Sequence, residues 1–168
     1  MQGGRVGCDQ QQGVVVVYVL ICGEQLRRDD GAAVVAARLL PRDAVALARL
    51  SEIGQLSLEA LLDAPADEAV IVADSAVGIP AGTVVVLPLQ AVARSMGSGA
   101  NPASSHALPP DQLLALADEM RGTQLRGAFV GIGGADFGFG EGLSDAVAAA
   151  LPEFATAIAS EIRRLAAG

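Results

Sequence analysis

The most constraining feature of the chain is an apolar run at residues 14–21, Val-Val-Val-Val-Tyr-Val-Leu-Ile, which is mostly β-branched. An unbroken run of this kind predicts a central strand of a parallel sheet, because such strands are buried on both faces. Gly23, a short polar loop, the adjacent acids Asp29 and Asp30, and a strongly helical stretch follow in that order. The sequence therefore predicts carboxylates at a strand-to-helix corner, where open α/β sheets place their ligand sites.

Composition supports this class of fold and excludes several chemistries. The 168 residues are 52% hydrophobic but only 3% aromatic, so the core must be built from aliphatic side chains, as in a parallel sheet under Ala-rich helices. The net charge of −8 argues against a nucleic-acid partner. All 11 basic residues are Arg, which excludes a lysine Schiff base and a phosphate-loop lysine.

The N-terminal region predicts neither a membrane span nor an export signal. The apolar run is too short to cross a bilayer. Only Arg5 precedes it as a positive charge, and no Ala-x-Ala site follows it. The two cysteines, Cys8 and Cys22, are too few for a disulfide framework and favour a reducing compartment. We therefore expect a cytoplasmic protein without membrane insertion.

Strand and helix patterns alternate along the chain and predict a three-layer α/β/α fold. Its sheet is expected to be twisted and mostly parallel, with about five strands flanked by helices. Residues 1–13 are predicted to be a flexible tail and residues 14–168 a single domain. The fourth strand follows the third closely, which favours a hairpin-like pair, and Pro152 is a potential break in the last helix. The predicted strands span residues 14–21, 44–50, 67–73, 83–87 and 128–132, and the main predicted helices span residues 30–40, 56–62, 111–121 and 143–165.

Two more residues join the paired acids as candidate site residues. Asp74 follows an apolar strand pattern, and His106, the only histidine, lies in the long loop 96–110. Two carboxylates and one imidazole suit a borderline divalent ion and leave coordination positions open, so Asp30, Asp74 and His106 form a candidate metal site. Each also has an ordinary explanation, as a helix cap, a turn residue and an exposed loop histidine.

Other patterns leave alternatives open. The glycine-dense segment 131–142 follows a predicted strand, but its spacing is not Gly-x-Gly-x-x-Gly, so a substrate-contacting loop is favoured over a nucleotide site. Phe137 and Phe139 within it either present apolar surface to a peptide or pack on the core. Cys22 and His106 would suit a thiol nucleophile and its base, but a cysteine ending a buried strand favours an inert structural role.

Four sequence blocks together resemble the hydrogenase maturation proteases, endopeptidases that trim the C-terminus of the large subunit of nickel–iron hydrogenases. Each block alone is weak, but all four occur in order and with sensible spacing over residues 14–160. The blocks are Gly-Glu-Gln-Leu-Arg-Arg-Asp-Asp-Gly at 23–31; Asp-Ser-Ala at 74–76 with Pro-Ala-Gly-Thr-Val at 80–84; Ser-Ser-His at 104–106 before a Leu-rich stretch at 113–117; and Val-Gly-Ile at 130–132 with Gly-Glu-Gly-Leu-Ser at 140–144.

The resemblance implies an aspartyl-type endopeptidase whose protein partner is a hydrogenase large-subunit precursor. The family's two metal-contacting acids fall on Asp30 and Asp74, and its histidine falls on His106. The resemblance also implies that these residues contact a nickel ion that belongs to the unprocessed substrate. Zinc or another divalent ion could take the place of that nickel. One carboxylate or a metal-bound water would assist attack on the peptide bond, and Asp29 stays a candidate catalytic group beside the other three.

The chain departs from the family pattern at two positions. Glu24 stands where the family has Asn, and Ala33 stands where a second Gly is common. These departures keep a second function open, that of a non-enzymatic α/β module that binds a metal or a partner protein and has lost peptidase activity.

Overall fold

The computed structural model describes residues 16–94 and 108–168, which form five strands and six α-helices. The strands are β1 (Val17–Cys22), β2 (Ala48–Ile53), β3 (Ala69–Ala76), β4 (Val84–Pro88) and β5 (Gly127–Gly133). The helices are α1 (Ala32–Ala37), α2 (Arg42–Val45), α3 (Leu58–Leu62), α4 (Leu89–Ala93), α5 (Pro110–Arg121) and α6 (Asp145–Ala166), and a 3-10 turn (Arg28–Gly31) precedes α1. The predicted tail lies outside the described residues, and the single-domain organisation stays a prediction.

The strands form one sheet in the order β2-β1-β3-β5-β4. β1 pairs in parallel with β2 and β3, and β3 pairs in parallel with β5, whereas β4 is antiparallel to β5. The apolar run that opens the described chain supplies β1, whose Val17, Val19, Leu20 and Ile21 have no exposed surface. A strand buried on both faces needs helices above and below it.

Helices cover both faces of the sheet and complete three layers. Val19 and Ile21 of β1 belong to a core that α1, α2 and α6 close on one face. Leu20 and Cys22, which alternate with them, belong to a second core closed by α3, α4 and α5. The predicted α/β/α architecture and mostly parallel sheet are confirmed.

The partner of β4 differs from the prediction. We expected β4 to follow β3 as a hairpin, but it crosses the end of β5 and pairs on the far side of that strand. The crossing is held by two backbone hydrogen bonds, from Gly82 N–H to the Gly133 carbonyl at 2.8 Å and from Gly133 N–H to the Thr83 carbonyl at 2.9 Å. A side chain at Gly133 would collide with the Pro80 carbonyl, so glycine permits this crossing.

Two predicted elements begin differently from the expectation. The predicted strand at 44–50 begins too early. Its first two residues form the end of α2, and the observed strand, β2, lies further towards the C-terminus. The helix predicted over 30–40 is divided between the 3-10 turn and the shorter α1. Local sequence patterns fix such boundaries poorly.

The last helix continues through its proline. α6 has 22 residues with Pro152 inside it, on the exposed side of the helix. The proline lacks the N–H that would bond the Ala148 carbonyl, and one turn later the Thr156 hydroxyl donates to the Pro152 carbonyl at 2.7 Å. No helix within the described ranges is both long and apolar enough to cross a bilayer.

Candidate active site

The loop at residues 23–31 places Asp30 at the carboxyl end of β1. Gly23 has a φ of 117°, and any side chain there would collide with the Asp30 carbonyl. A Cβ on Gly31 would come within 2.8 Å of the Gln25 Cα. The Asp30 Oδ2 then accepts the Glu24 N–H at 2.8 Å. The two glycines therefore let the loop close tightly enough to fix the Asp30 carboxylate.

The second acid, Asp74, lies inside β3 rather than after it. It pairs with Gly131 of β5, one position beyond Ala73, whose partner on β1 is Ile21. Strand alternation puts Asp74 on the same face as Val72, under the layer formed by α3, α4 and α5. Its Oδ1 accepts the Ser75 N–H at 2.8 Å.

Asp30 and Asp74 lie close enough to interact electrostatically. Burial raises the pKa of Asp74 to about 7; the Ser75 N–H acts in the opposite direction, and the negative charge of Asp30 adds to the rise. A carboxyl with such a pKa exchanges its proton near neutral pH, which suits a general acid or base. The structure therefore brings two of the three predicted metal-contacting residues together.

Cys22 lies near these acids, but its thiol is unreactive. Its side chain is buried and reduced. Burial raises the pKa of the thiol far above its usual range, and the charges of Asp74 and Asp30 raise it further. Because a protonated thiol is a poor nucleophile, this environment disfavours Cys22 as a cysteine-protease nucleophile.

The third predicted residue, His106, lies outside the described residues. The helices on either side of that segment, α4 and α5, cover the same face of the sheet as Asp74. Within residues 16–94 and 108–168, no group of three or more His, Cys, Asp or Glu side chains is arranged to hold a metal ion. The three-residue metal site stays a prediction.

The fourth candidate, Asp29, is fully buried and hydrogen bonded. Its carboxylate accepts four hydrogen bonds of 2.7–2.9 Å. The donors are the backbone N–H groups of Ala135, Asp136 and Ser144 and the Ser144 hydroxyl. Burial acts to raise the pKa of Asp29, but these donors outweigh it and lower the pKa, so the charge is retained.

These bonds join the loop at 23–31 to the glycine loop at 134–144. Backbone hydrogen bonds reinforce the junction: Asp29 N–H donates to the Asp136 carbonyl at 3.0 Å, Arg28 N–H to the Gly140 carbonyl at 3.1 Å, and Gly140 N–H to the Leu26 carbonyl at 2.9 Å. No local sequence pattern predicts this connection, because its partners are more than 100 residues apart.

The same bonds weigh against a nucleotide site in the glycine loop. A phosphate would need free backbone N–H groups ahead of a helix. The N–H groups of Ala135, Asp136 and Ser144 already point at the Asp29 carboxylate, which fills the position of an anion. The protein's own acid therefore occupies the nest that a phosphate would use.

The two phenylalanines of the glycine loop have different environments. The ring of Phe137 packs against the backbone of Gly134. Phe139 is 89% exposed, and the Arg27 guanidinium lies 5.8 Å from its ring centroid. Phe137 therefore packs on its own loop and in neither hydrophobic core of the described residues, and presentation of Phe139 to a peptide stays a prediction.

Both departures from the family pattern fit the loop geometry. Glu24 contributes its backbone N–H to Asp30, while its side chain is exposed, so this hydrogen bond does not depend on the residue type. Ala33 is fully buried within α1, where a methyl group is accommodated. Neither substitution disturbs the position of Asp30.

Comparison with known proteins identifies the fold. No protein-family model matches the chain, and no curated protein matches it. Among solved structures, the hydrogenase maturating endopeptidase HybD from Escherichia coli superposes with a TM-score of 0.71 at 20% identity, over 89% of this chain and 93% of that chain.

Two further structures agree with this match. A [NiFe] hydrogenase maturation protease HybD from Thermococcus kodakarensis has a TM-score of 0.65 at 21% identity, over 84% of this chain and 95% of that chain. A solution structure of an endopeptidase from Escherichia coli has a TM-score of 0.68 at 20% identity, over 88% and 93%. The chain therefore has the fold of hydrogenase maturation proteases, as the resemblance implied.

Proposed function

We propose that this chain is an endopeptidase that removes the C-terminal peptide from the large-subunit precursor of a nickel–iron hydrogenase. The observation that carries the proposal is the pairing of Asp30 with Asp74 at the carboxyl end of adjacent parallel strands, with the pKa of Asp74 at about 7. The shared fold with named maturation proteases supports it. Four sequence blocks in the same order support it independently.

In this proposal, the metal arrives with the substrate. Nickel already held by the precursor meets Asp30, Asp74 and His106, whose two oxygens and one nitrogen are ligands that such an ion accepts. Zinc or another divalent ion is expected to substitute in binding. The acids would thereby distinguish a loaded precursor from an empty one before any bond is broken.

The four candidate catalytic residues then have distinct roles. In the metal-free site the pKa of the Asp74 carboxyl is near neutrality, so we assign Asp74, whenever it is not itself bound to nickel, as the described residue that takes a proton from the attacking water. The same proton is returned to the leaving amine when the peptide bond breaks. Asp30 and His106 would position the nickel-bearing segment, and Asp29 would act from a distance by holding the glycine loop.

The first prediction tests this assignment with nickel-loaded and nickel-free precursor. We expect the wild-type chain to release the C-terminal peptide from the loaded form only, as measured by mass spectrometry. Asp74→Asn and His106→Ala should each reduce the release at least 100-fold, because each removes a metal contact or proton acceptor. Asp67→Asn, at an exposed acid two residues before the start of β3, is the matched control and should cleave normally.

The outcomes separate the candidate functions. Equal cleavage of both precursor forms would overturn nickel-dependent recognition but leave the peptidase in place. Tight binding of loaded precursor without any release would instead support the non-enzymatic metal- or partner-binding module. Normal cleavage by Asp74→Asn would remove that residue from the site.

A further inference from the structure

An exposed apolar surface lies next to the loop that carries Asp30. Phe139 is the most exposed large apolar side chain in the described part of the chain, and Leu26 is 57% exposed beside it in the joined loops. Isolated exposed apolar side chains are common, but these two lie on loops that are bonded to each other. We refer to Leu26, Arg27 and Phe139 as the platform.

The exposure of Phe139 is built into the fold. The next residue, Gly140, forms backbone hydrogen bonds to Leu26 and Arg28 on both of its sides. On the preceding side, Gly138 N–H donates to the Asp136 Oδ1 at 2.9 Å. The aromatic ring is therefore presented by a fixed backbone, which reduces the entropy lost when a partner binds it.

The platform also carries a cation without a carboxylate partner. Arg28 pairs with Asp136 at 3.4 Å. Arg27 has no ion pair anywhere in residues 16–94 and 108–168; it donates only to the Phe137 carbonyl, at 3.4 Å, and lies over the Phe139 ring. In a chain with a net charge of −8, such a cation is a local attraction for an acidic side chain.

A cleft continues from the platform along the loop at 23–31. Its volume is about 500 Å³, and Leu26, Val35 and Leu143 supply its apolar lining. Gly31, which directly follows Asp30, also lines it. Glu24 and Glu141 also line this cleft, so a segment seated on the platform can place an uncharged side chain in it.

We propose that the platform docks an extended segment of the protein substrate in which an apolar side chain stands beside an acidic one. The apolar group would pack on Phe139 and Leu26, and the carboxylate would pair with Arg27. This inference rests on the proposed peptidase function and names the surface that selects its substrate.

A second copy of the chain fits less well, because a stable dimer needs roughly 800 Å² from each partner, far more than three side chains supply. An exposed aromatic and an arginine are the residue types that dominate small binding surfaces.

The experiment measures kcat and KM for cleavage of nickel-loaded precursor, and in parallel the binding of that precursor to a cleavage-silent Asp74→Asn protein. We expect Phe139→Ala and Arg27→Glu each to raise KM and Kd about tenfold, with kcat within about twofold of wild type. Arg27→Lys should restore much of the affinity, because the charge is kept. The unfolding midpoint of Phe139→Ala should stay unchanged, and that of Arg27→Glu should fall only slightly, since the Arg27 side chain makes a single long bond to the loop backbone, at the Phe137 carbonyl.

Matched controls remove exposed groups of the same kind elsewhere. Met120→Ala on α5 and Arg126→Glu before β5 should leave KM at the wild-type value. Wild-type KM and Kd for the platform variants would overturn the docking surface while the peptidase function stands. If the wild-type chain neither binds nor cleaves the precursor, both proposals fall. A dimer in sedimentation that Phe139→Ala dissolves would assign the surface to self-association and overturn substrate docking.

Discussion

At the scale of single residues, the adjacent acids Asp29 and Asp30 differ in burial and in the number of hydrogen bonds they accept. Asp29 has no exposed surface and is surrounded by hydrogen-bond donors, whereas the Asp30 carboxylate has one backbone donor and lies near another acid. The difference arises because the Asp29 side chain points into the junction between two loops, whereas the Asp30 side chain accepts a bond within its own loop and lies near Asp74. Asp29 therefore holds two loops together, whereas its neighbour Asp30 is the residue assigned to the proposed chemistry.

The anchoring role of Asp29 predicts a large loss of stability on neutralisation. In Asp29→Asn the new amide group would face N–H donors, so we expect the free energy of unfolding at pH 7 to fall by about 2–4 kcal/mol. Chemical denaturation measures this, with the exposed Asp63→Asn as control. An Asp29→Asn protein as stable as wild type would contradict the anchor.

The pH dependence of the Asp29 contribution has a defined sign. Its pKa is lowered in the folded state, so its stabilisation is fully present above the unfolded pKa, about 4. The contribution is lost as pH falls through the lower folded value. The gap between wild type and Asp29→Asn should therefore shrink when the denaturation is repeated below about pH 4.

At the scale of elements, the shape of the loop at 23–31 depends on its glycines. Gly23→Ala combines an unfavourable φ of 117° with a collision at the Asp30 carbonyl. We expect about 2 kcal/mol or more of lost stability and a loss of precursor cleavage, because the acid is displaced. Gly54→Ala, where no atom lies within 4 Å of the new Cβ, is the control. Wild-type cleavage by Gly23→Ala would show that Asp30 does not need this loop shape.

Elements with a strong local signal were predictable, and pairings between distant elements were not. The apolar runs that became β1, β3 and β5 identify buried strands because each must be apolar on both faces. The order of strands at the sheet edge depends on a crossing at Gly133 that no local pattern encodes. The convergence of Asp30 and Asp74 followed from topology, since parallel strands end at one edge, whereas the bonds of Asp29 required the folded loops.

At the scale of the whole molecule, the ionised carboxylate of Asp74 in β3 lowers the free energy of unfolding. The pKa of Asp74 is raised to about 7 by burial and by Asp30, against an unfolded value of about 4. Between about pH 4 and pH 7 the folded state binds the proton more tightly than the unfolded state does, so this residue makes the protein less stable as pH rises through that window.

Replacing this acid should therefore stabilise the molecule while inactivating it. We expect Asp74→Asn to exceed wild type in free energy of unfolding by about 2–4 kcal/mol at pH 8.5. The difference should nearly vanish at pH 4, where the wild-type carboxyl is protonated in the folded state and about half protonated in the unfolded state. Denaturant titrations of metal-free protein at the two pH values measure it. A constant difference at both values would mean that charge is not the cause.

The hydrogen bonds of Asp29 reach partners 106 to 115 positions further along the chain. During synthesis both site acids thus leave the ribosome long before the glycine loop that fixes their surroundings. A nascent chain at that stage contains Asp29 and Asp30 but not the donors that surround Asp29, so under the proposed function it would gain hydrolytic activity only after β5 and the start of α6 have emerged.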